Sequence, residues 1–481
     1  MRSARVPSAF LSFLVLVGAA QTQTWQPLLH QPAFHTDTAL QLTDGTVMVH
    51  EYMSPNWWRL TPNKKGSYLN GSWTRLNSMP SNYGPLFFAS AVLPDGRVIV
   101  EGGEYNLGQS AETNLGAIYD PATDAWTPVH PPDGWAEIGD SPGVVLANGQ
   151  FMLGNRDNRK AALLDAGTLT WTLTGVGKRD RFNEAGLILL PDETVLTIDA
   201  DDPPHSEKYN DGNWMNAGST KVILPDPGFR ELGPTILRPD GTVFATGANT
   251  TESGHTAVYH PPAKPAGKGK WTPGPDIPDG NDMGDAPAAL LPDGNVLCDT
   301  SPGIFRAGVK FYEFDGTSFM SVPDPPRSNL STSSNGRLLV LPTGQILLST
   351  ADGRNLDVEV YTAAGKPDPA WAPSITSAPA TVVRGNTYQI SGMQFNGLSA
   401  GADYGDDAQM ATNYPLVRIT NQATKHVFYA RTHDHSTMAV ATGNKVVSTN
   451  FDVPQNAETG VSRLQVVANG IASVAVAVNV N

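Results

Sequence analysis

One phrase recurs seven times along this chain: an apolar run, a tight polar turn, and a second apolar run. The copies begin at Thr38, Ser90, Gly143, Leu187, Thr235, Ala288 and Leu338. Their turns, from Thr43-Asp44-Gly45 and Pro94-Asp95-Gly96 through to Pro342-Thr343-Gly344, lie about 44 to 53 residues apart. Apolar alternation bounded by Gly, Pro and Asp signals strand, turn and strand. A unit this small cannot bury its own apolar faces, so seven of them must pack around a common axis.

The period fits four-stranded propeller blades, those of kelch type running near 50 residues. Most units continue with an aromatic third strand and a fourth opening at a second aromatic: Tyr119 with Trp126, Tyr209 with Trp214, Tyr259 with Trp271, Tyr312 with Phe319. The seventh unit has a third strand near Asp357–Thr362 but no clear fourth. Trp25-Gln26-Pro27-Leu28-Leu29 resembles the fourth strands elsewhere, such as Trp126-Thr127-Pro128-Val129. It is expected to complete the last blade and remove an open sheet edge. A Pro-rich stretch from Lys366 to Pro379 marks a boundary. Beyond it, six or seven alternating runs predict an immunoglobulin-like β-sandwich. The predicted organisation is all-β: a signal peptide over 1–20, a seven-bladed kelch-like β-propeller over 21–365, and an immunoglobulin-like domain over 366–481.

The leader reading rests on Arg2 and Arg5, an apolar run from Ala9 to Val17, and small residues Gly18-Ala19-Ala20. The run is too short for a membrane span. A secreted or periplasmic protein is therefore expected, with no membrane span. The formal net charge of -14 argues against nucleic acid and anionic membrane surfaces as partners. The single cysteine, Cys298, excludes an internal disulfide framework. The fold must be held by its core, and a monomer is expected.

A kelch-like ring followed by a sandwich resembles galactose oxidase and related copper-radical oxidases. The likeness includes Trp25-Gln26-Pro27-Leu28, the segment Glu359-Val360-Tyr361-Thr362, and the stretch from Leu416 through Met438. The resemblance implies that the Thr432-His433 pair enters the pore, with His433 as a metal ligand. It implies further ligands at the start of the innermost strands, seven or eight residues before each turn. There this chain departs from the family. Phe87 stands for the cysteine of the Tyr-Cys cofactor, Asp140 for the radical tyrosine, and Ser334-Asn335 for a Tyr-His pair. Copper-radical chemistry needs imidazole, phenolate and the thioether-linked tyrosine. The copper-radical cofactor is not expected here.

The same spacing places Asp140, Glu184, Asp285 and Asn335 at the start of blades three, four, six and seven, with Glu231 and His35 one residue earlier in blades five and one. Together with His433 and His435 they form the candidate ligand-binding set, with His433, Asp140 and Asp285 as candidate metal ligands. Crowded carboxylates raise one another's pKa unless a cation or hydrogen-bond network relieves them. A divalent cation such as Mn, Zn or Ca would suit these donors. The same residues could instead cap backbone or hold channel water. Asp199, Asp201 and Asp202 could form a calcium loop or a solvated acidic turn, and Asp403, Asp406 and Asp407 could bind calcium or form a polar loop at the domain junction. No phosphate loop, nucleophile elbow or HExxH motif occurs. Asn70, Asn249 and Asn329 open glycosylation sequons.

The leading functional reading is an exported protein that binds a carbohydrate or another extracellular polymer at the propeller mouth. The alternatives are an enzyme using the pore carboxylates and His433, with no catalytic residue assigned, and a true copper-radical oxidase.

Overall fold

The structure is a computed structural model describing residues 23–481 except 176, 250 and 354–356. The expected leader lies outside the described residues. The described chain is all-β, with four short 3-10 turns and no α-helix. No helix among these residues is long and apolar enough to cross a membrane.

Each repeated phrase folds as the two inner strands of an antiparallel sheet. The first sheet runs Thr36–Gln41, Val47–Glu51, Trp57–Thr61, Ser72–Arg75, and six further sheets follow this plan. The turns share one geometry. In the second, the Gly96 amide donates to the Leu93 carbonyl, and Asp95 accepts from the Arg97 amide. Gly96 sits at φ 83, as the tight reversal demands, and a Cβ there would meet the Thr432 carbonyl at 2.9 Å. In the fourth turn Glu193 takes the left-handed conformation instead, at φ 67.

The first strand of each sheet packs on that of the next, and the seventh returns to the first. The cycle is closed by the N-terminal strand. Thr24–Pro27 pairs antiparallel with Glu359–Thr362, with Trp25 opposite Tyr361. The Trp25 indole donates to the Pro323 carbonyl at 2.8 Å and packs edge-on against Phe311 in the neighbouring sheet. The apolar faces between sheets form the core, including Val98, Val100, Phe151, Leu338 and Leu347. Cys298 is buried on the second strand of the sixth sheet.

The C-terminal strands make two sheets joined through Val427–His433. Its first half pairs with Leu416–Asn421 and its last three residues with Val447–Asp452. Val382, Ile390, Val417, Phe451, Leu464 and Val478 lie buried between them. This unit rests on the turn end of the ring. The amides of Thr432, His435 and Met438 donate to the carbonyls of Thr43, Pro94 and Ala147, in the turns of the first three sheets.

Removal of residues 23–29 from the mature protein exposes the edge of Glu359–Thr362 and uncovers Tyr361 and Phe311. The expected result is a lower melting temperature. Trp25→Ala alone should destabilise by roughly 2 kcal/mol, below the cost of a fully buried tryptophan because Trp25 is half-buried. Chemical denaturation measures both, and an unchanged midpoint would contradict the closure.

Candidate functional site

The innermost strands begin at one mouth of the ring and end in their turns at the other. Where they begin, the backbone is locally strained: Phe87, Glu184 and Asp285 adopt φ of 53°, 55° and 49°. Such left-handed non-glycine residues cost about 1 kcal/mol or more each and cluster where side chains must be aimed. Oxygens of Glu184, Glu231 and Asp285 converge within 4.8 Å of one another. Glu231 is 9% exposed. Its carboxyl lies close to both neighbours, an arrangement that carboxyl groups tolerate only with a proton or a cation between them. Burial and then Asp285 push Glu184 up to about 8. Burial holds Asp285 at about 6, and Glu231 is raised furthest, again by burial and then Asp285.

Asp140 borders this group and pairs with Arg156 at 3.0 Å; the same guanidinium meets Glu112 at 2.5 Å. Burial, then Asp140 and Glu112, raise nearby Glu104 to about 7. Tyr105 lies against these carboxylates, with its ring 6.1 Å from that of Phe87.

One segment of the C-terminal unit threads the ring. Ala402–Asp403 pairs with Ala288–Ala289 as a fifth strand of the sixth sheet. Asp403 accepts from the Thr235 amide at 2.6 Å, and Gln409 is bonded to Ser90 through its carbonyl and its side chain. The Asp407 carbonyl accepts from the Phe88 amide at 2.8 Å. The tip thus touches the second, fifth and sixth sheets from inside. Tyr404 donates to the Ser334 carbonyl of the seventh, and the buried Arg337 guanidinium lies 4.0 Å over its ring. Arg337 also faces Asp37 at 3.6 Å. Asp406 and Asp407 are buried, and both are raised well above the usual carboxylate range. For Asp406 the causes are burial and then Glu184; for Asp407, burial and then Asp285.

The structure therefore brings together Asp140, Glu184, Glu231 and Asp285, as the spacing predicts. The histidines are elsewhere. His433 is bonded to Asp434 at 2.8 Å and Asp452 at 3.1 Å, on the segment that rests on the turns. An inner strand of six residues separates that end from the mouth by roughly 20 Å. His433 is not placed as a ligand beside Asp140 or Asp285. The physical reason is that its strand pairs with Val447–Asp452 and cannot also turn into the ring. His435 is buried, with its Nδ1 at 2.8 Å from the Thr449 hydroxyl, and burial pushes it down to about 3. It packs in the contact between the C-terminal unit and the ring. The His35 side chain is exposed, while its carbonyl accepts from the Tyr52 amide. Asn335 is half-buried in a 3-10 turn, and its carbonyl accepts from the Ala351 amide. The threading segment was missed as such: its acidic residues stood out in the sequence, but without the regular alternation that marks a strand.

The donor set does not fit a copper-radical centre. Phe87 offers no sulfur, and Asp140 and the neighbouring carboxyls offer hard oxygen. Tyr404 is engaged under Arg337, and His50 has both ring nitrogens bonded, to Asp37 and to the Ser54 carbonyl. Cys298 is buried within its own sheet.

These raised carboxyls have a signed consequence for stability. A carboxyl whose folded pKa exceeds its ordinary value near 4.3 binds a proton more readily in the native state, so stability falls as pH rises through the raised value. Glu184 at about 8 and Glu104 at about 7 set the window. His435 opposes this only below its ordinary value near 6.5. In chelator-treated protein, the melting temperature should be higher at pH 6.5 than at pH 8.5. Glu184→Gln should raise it at pH 8.5 and flatten the profile. A melting temperature that rises with pH would contradict the assigned electrostatics.

No family model matches the chain, and no curated protein does. Among solved structures, a streptogramin B lyase aligns at 10% identity over 72% of this chain and 99% of its own, with a TM-score of 0.50. A fungal alcohol oxidase of the AA5 family, determined in complex with copper, aligns at 15% identity over 96% of this chain and 100% of its own, with a TM-score of 0.56. The chain is thus similar in fold, from end to end, to the kind of oxidase its sequence resembles.

Proposed function

We propose that this chain is an exported seven-bladed β-propeller protein, over about residues 21–365, with an immunoglobulin-like domain over 366–481. It binds a glycan or another extracellular polyhydroxylated ligand at the acidic mouth and lacks the copper-radical centre. The propeller reading is supported by seven sheets whose first strands contact in a closed cycle. Export is supported by the leader-like sequence.

The observation that carries the binding reading is the convergence of Asp140, Glu184, Glu231 and Asp285 with the threading segment at one mouth. Aromatic side chains accompany it. Phe229 lies two residues before Glu231, and Phe305 follows Ile304, which packs on the glycine preceding Asp285. Both are exposed, and their rings meet at 6.0 Å. Carboxylates accept hydrogen bonds from sugar hydroxyls, and aromatic rings cover the apolar face of a sugar ring.

A second reading has one observation of its own. Glu184 at about 8 beside Asp285 at about 6 is the split expected of a general acid and a general base. Under that reading the mouth would carry out acid–base chemistry on the same class of ligand.

Screening the purified protein on a glycan array, followed by calorimetry with the best ligand, tests the proposal. Phe229→Ala and Asp140→Asn should each weaken binding about tenfold, a loss of roughly 1.4 kcal/mol. Copper-loaded protein should release no hydrogen peroxide from galactose or primary alcohols. Undiminished binding in both variants, or copper-dependent peroxide, would overturn it. Turnover of the bound ligand that Glu184→Gln abolishes would favour the second reading.

A further inference from the structure

Among the described residues, no ion pair is made by Glu184, Glu231 or Asp285. Arg156 pairs with Asp140 and Glu112, and Arg337 faces Asp37 and the Tyr404 ring, so each acts on Glu184 or Asp285 only as a more distant charge. Oxygens that all lie within 4.8 Å of one another can surround a single ion with metal–oxygen distances of 2.3–2.6 Å.

A second observation is independent of that cluster. Asp406, from the threading segment, is 3% exposed, and its Oδ2 has no hydrogen-bond partner. Burial raises its carboxyl, and Glu184 is the neighbouring carboxylate that adds most to this. A buried carboxylate oxygen left unpaired costs on the order of 1–3 kcal/mol, which a ligand at that point would recover. Gly405, at φ 93, bends the segment just before it, beside Gly186 and hence close to Glu184.

We propose that Glu184, Glu231 and Asp285 bind one hard divalent cation, with Ca²⁺ as the reference ion, and that Asp406 of the threading segment, outside that 4.8 Å group, completes its shell through a bridging water. The inference rests on the reading of this mouth as the binding site and supplies its bridging element. The cation would offer open coordination positions to ligand hydroxyls, and it would pin the C-terminal unit to the ring from inside. The three donors are carboxylate oxygens, with no imidazole or thiolate among them, which favours Ca²⁺, Mn²⁺ or Mg²⁺ over Zn²⁺ or Cu²⁺. The other convergent group, Asp199, His205 and Glu207, differs in this respect. There Lys178 sits 2.7 Å from Asp199, and Glu207 accepts from the Arg179 amide, so protein donors already fill the site.

The test uses the mature chain, stripped with chelator and dialysed, without any glycan. Calorimetry with CaCl₂, MnCl₂ and MgCl₂ should show one site per chain for at least one of these ions. The melting temperature should rise by several degrees on its addition. Glu231→Gln and Asp406→Asn should each weaken that binding at least tenfold, while Asp211→Asn, in an exposed hairpin turn, should leave it unchanged. Each of the first two variants relieves carboxylate crowding, so the metal-free protein should melt no lower than the parent. That separates loss of the site from misfolding. Should Glu231→Gln nonetheless fail to fold, the Asp406→Asn titration decides. No binding of any of the three ions at millimolar concentration, tighter binding of Zn²⁺ or Cu²⁺ than of all three, or full binding by Asp406→Asn would overturn the proposal. Glycan binding measured in chelator reports separately on the mouth as a ligand site.

Discussion

The antiparallel pairing of Thr24–Pro27 with Glu359–Thr362 is the contact on which the rest of the structure depends. Without it, the seventh sheet would end in an open edge facing the hydrogen-bonding groups of Glu359–Thr362. With it, first and last sheets are sewn into one cycle, and the inner strands are held at fixed angles around one axis. Seven strands beginning around one axis must bring their leading side chains together. The electrostatic character of the mouth is therefore a consequence of closure, and its chemistry is set by what each repeat places at that position.

What the repeats place there is unusual in its one-sidedness. Asp140, Glu184, Glu231 and Asp285 come from the ring, and Asp406 and Asp407 from the threading segment, with Arg156 and Arg337 as the nearby cations. Burial alone would raise these carboxyls, and their mutual repulsion raises them further. A protein that needed only a plug for its channel could use apolar residues, as the segment does at Ala402, Ala408 and Met410. The acidic tip is an added cost to folding, and an arrangement that is costly without a ligand is one that a ligand can stabilise. Glu184 also sits in left-handed backbone, which its side chain does not ease, and points the same way.

Much of this was legible in the sequence, for identifiable reasons. The turns recur at a near-constant spacing, and an inner strand has a fixed rise per residue. Counting back from Pro191, Pro239 and Pro292 therefore locates Glu184, Glu231 and Asp285 at one level. The missing fourth strand after Thr362 and the blade-like Trp25-Gln26-Pro27 could be matched because both follow the local pattern of a half-exposed outer strand. The threading segment follows no such pattern. Apart from the two-residue strand Ala402–Asp403, the stretch Gly401–Asn413 is irregular and bonded to four different sheets, and its position is set by tertiary contacts that no local periodicity encodes. The histidine motif misled for the complementary reason. Thr432-His433 lies in a regular strand, and strand pairing with Val447–Asp452 fixes it on the turn face, where His433 is satisfied by Asp434 and Asp452.

One mouth of the ring is proposed as an oxygen-only site shared between the ring and the segment that threads it. An anomalous-difference map from a crystal of the mature protein, soaked with a lanthanide as a Ca²⁺ substitute, tests this most directly. The account predicts a single strong peak bounded by Glu184, Glu231, Asp285 and Asp406, with Tyr404 beneath Arg337. A map with no peak there, or a chain in which residues 402–410 lie outside the ring, would contradict it.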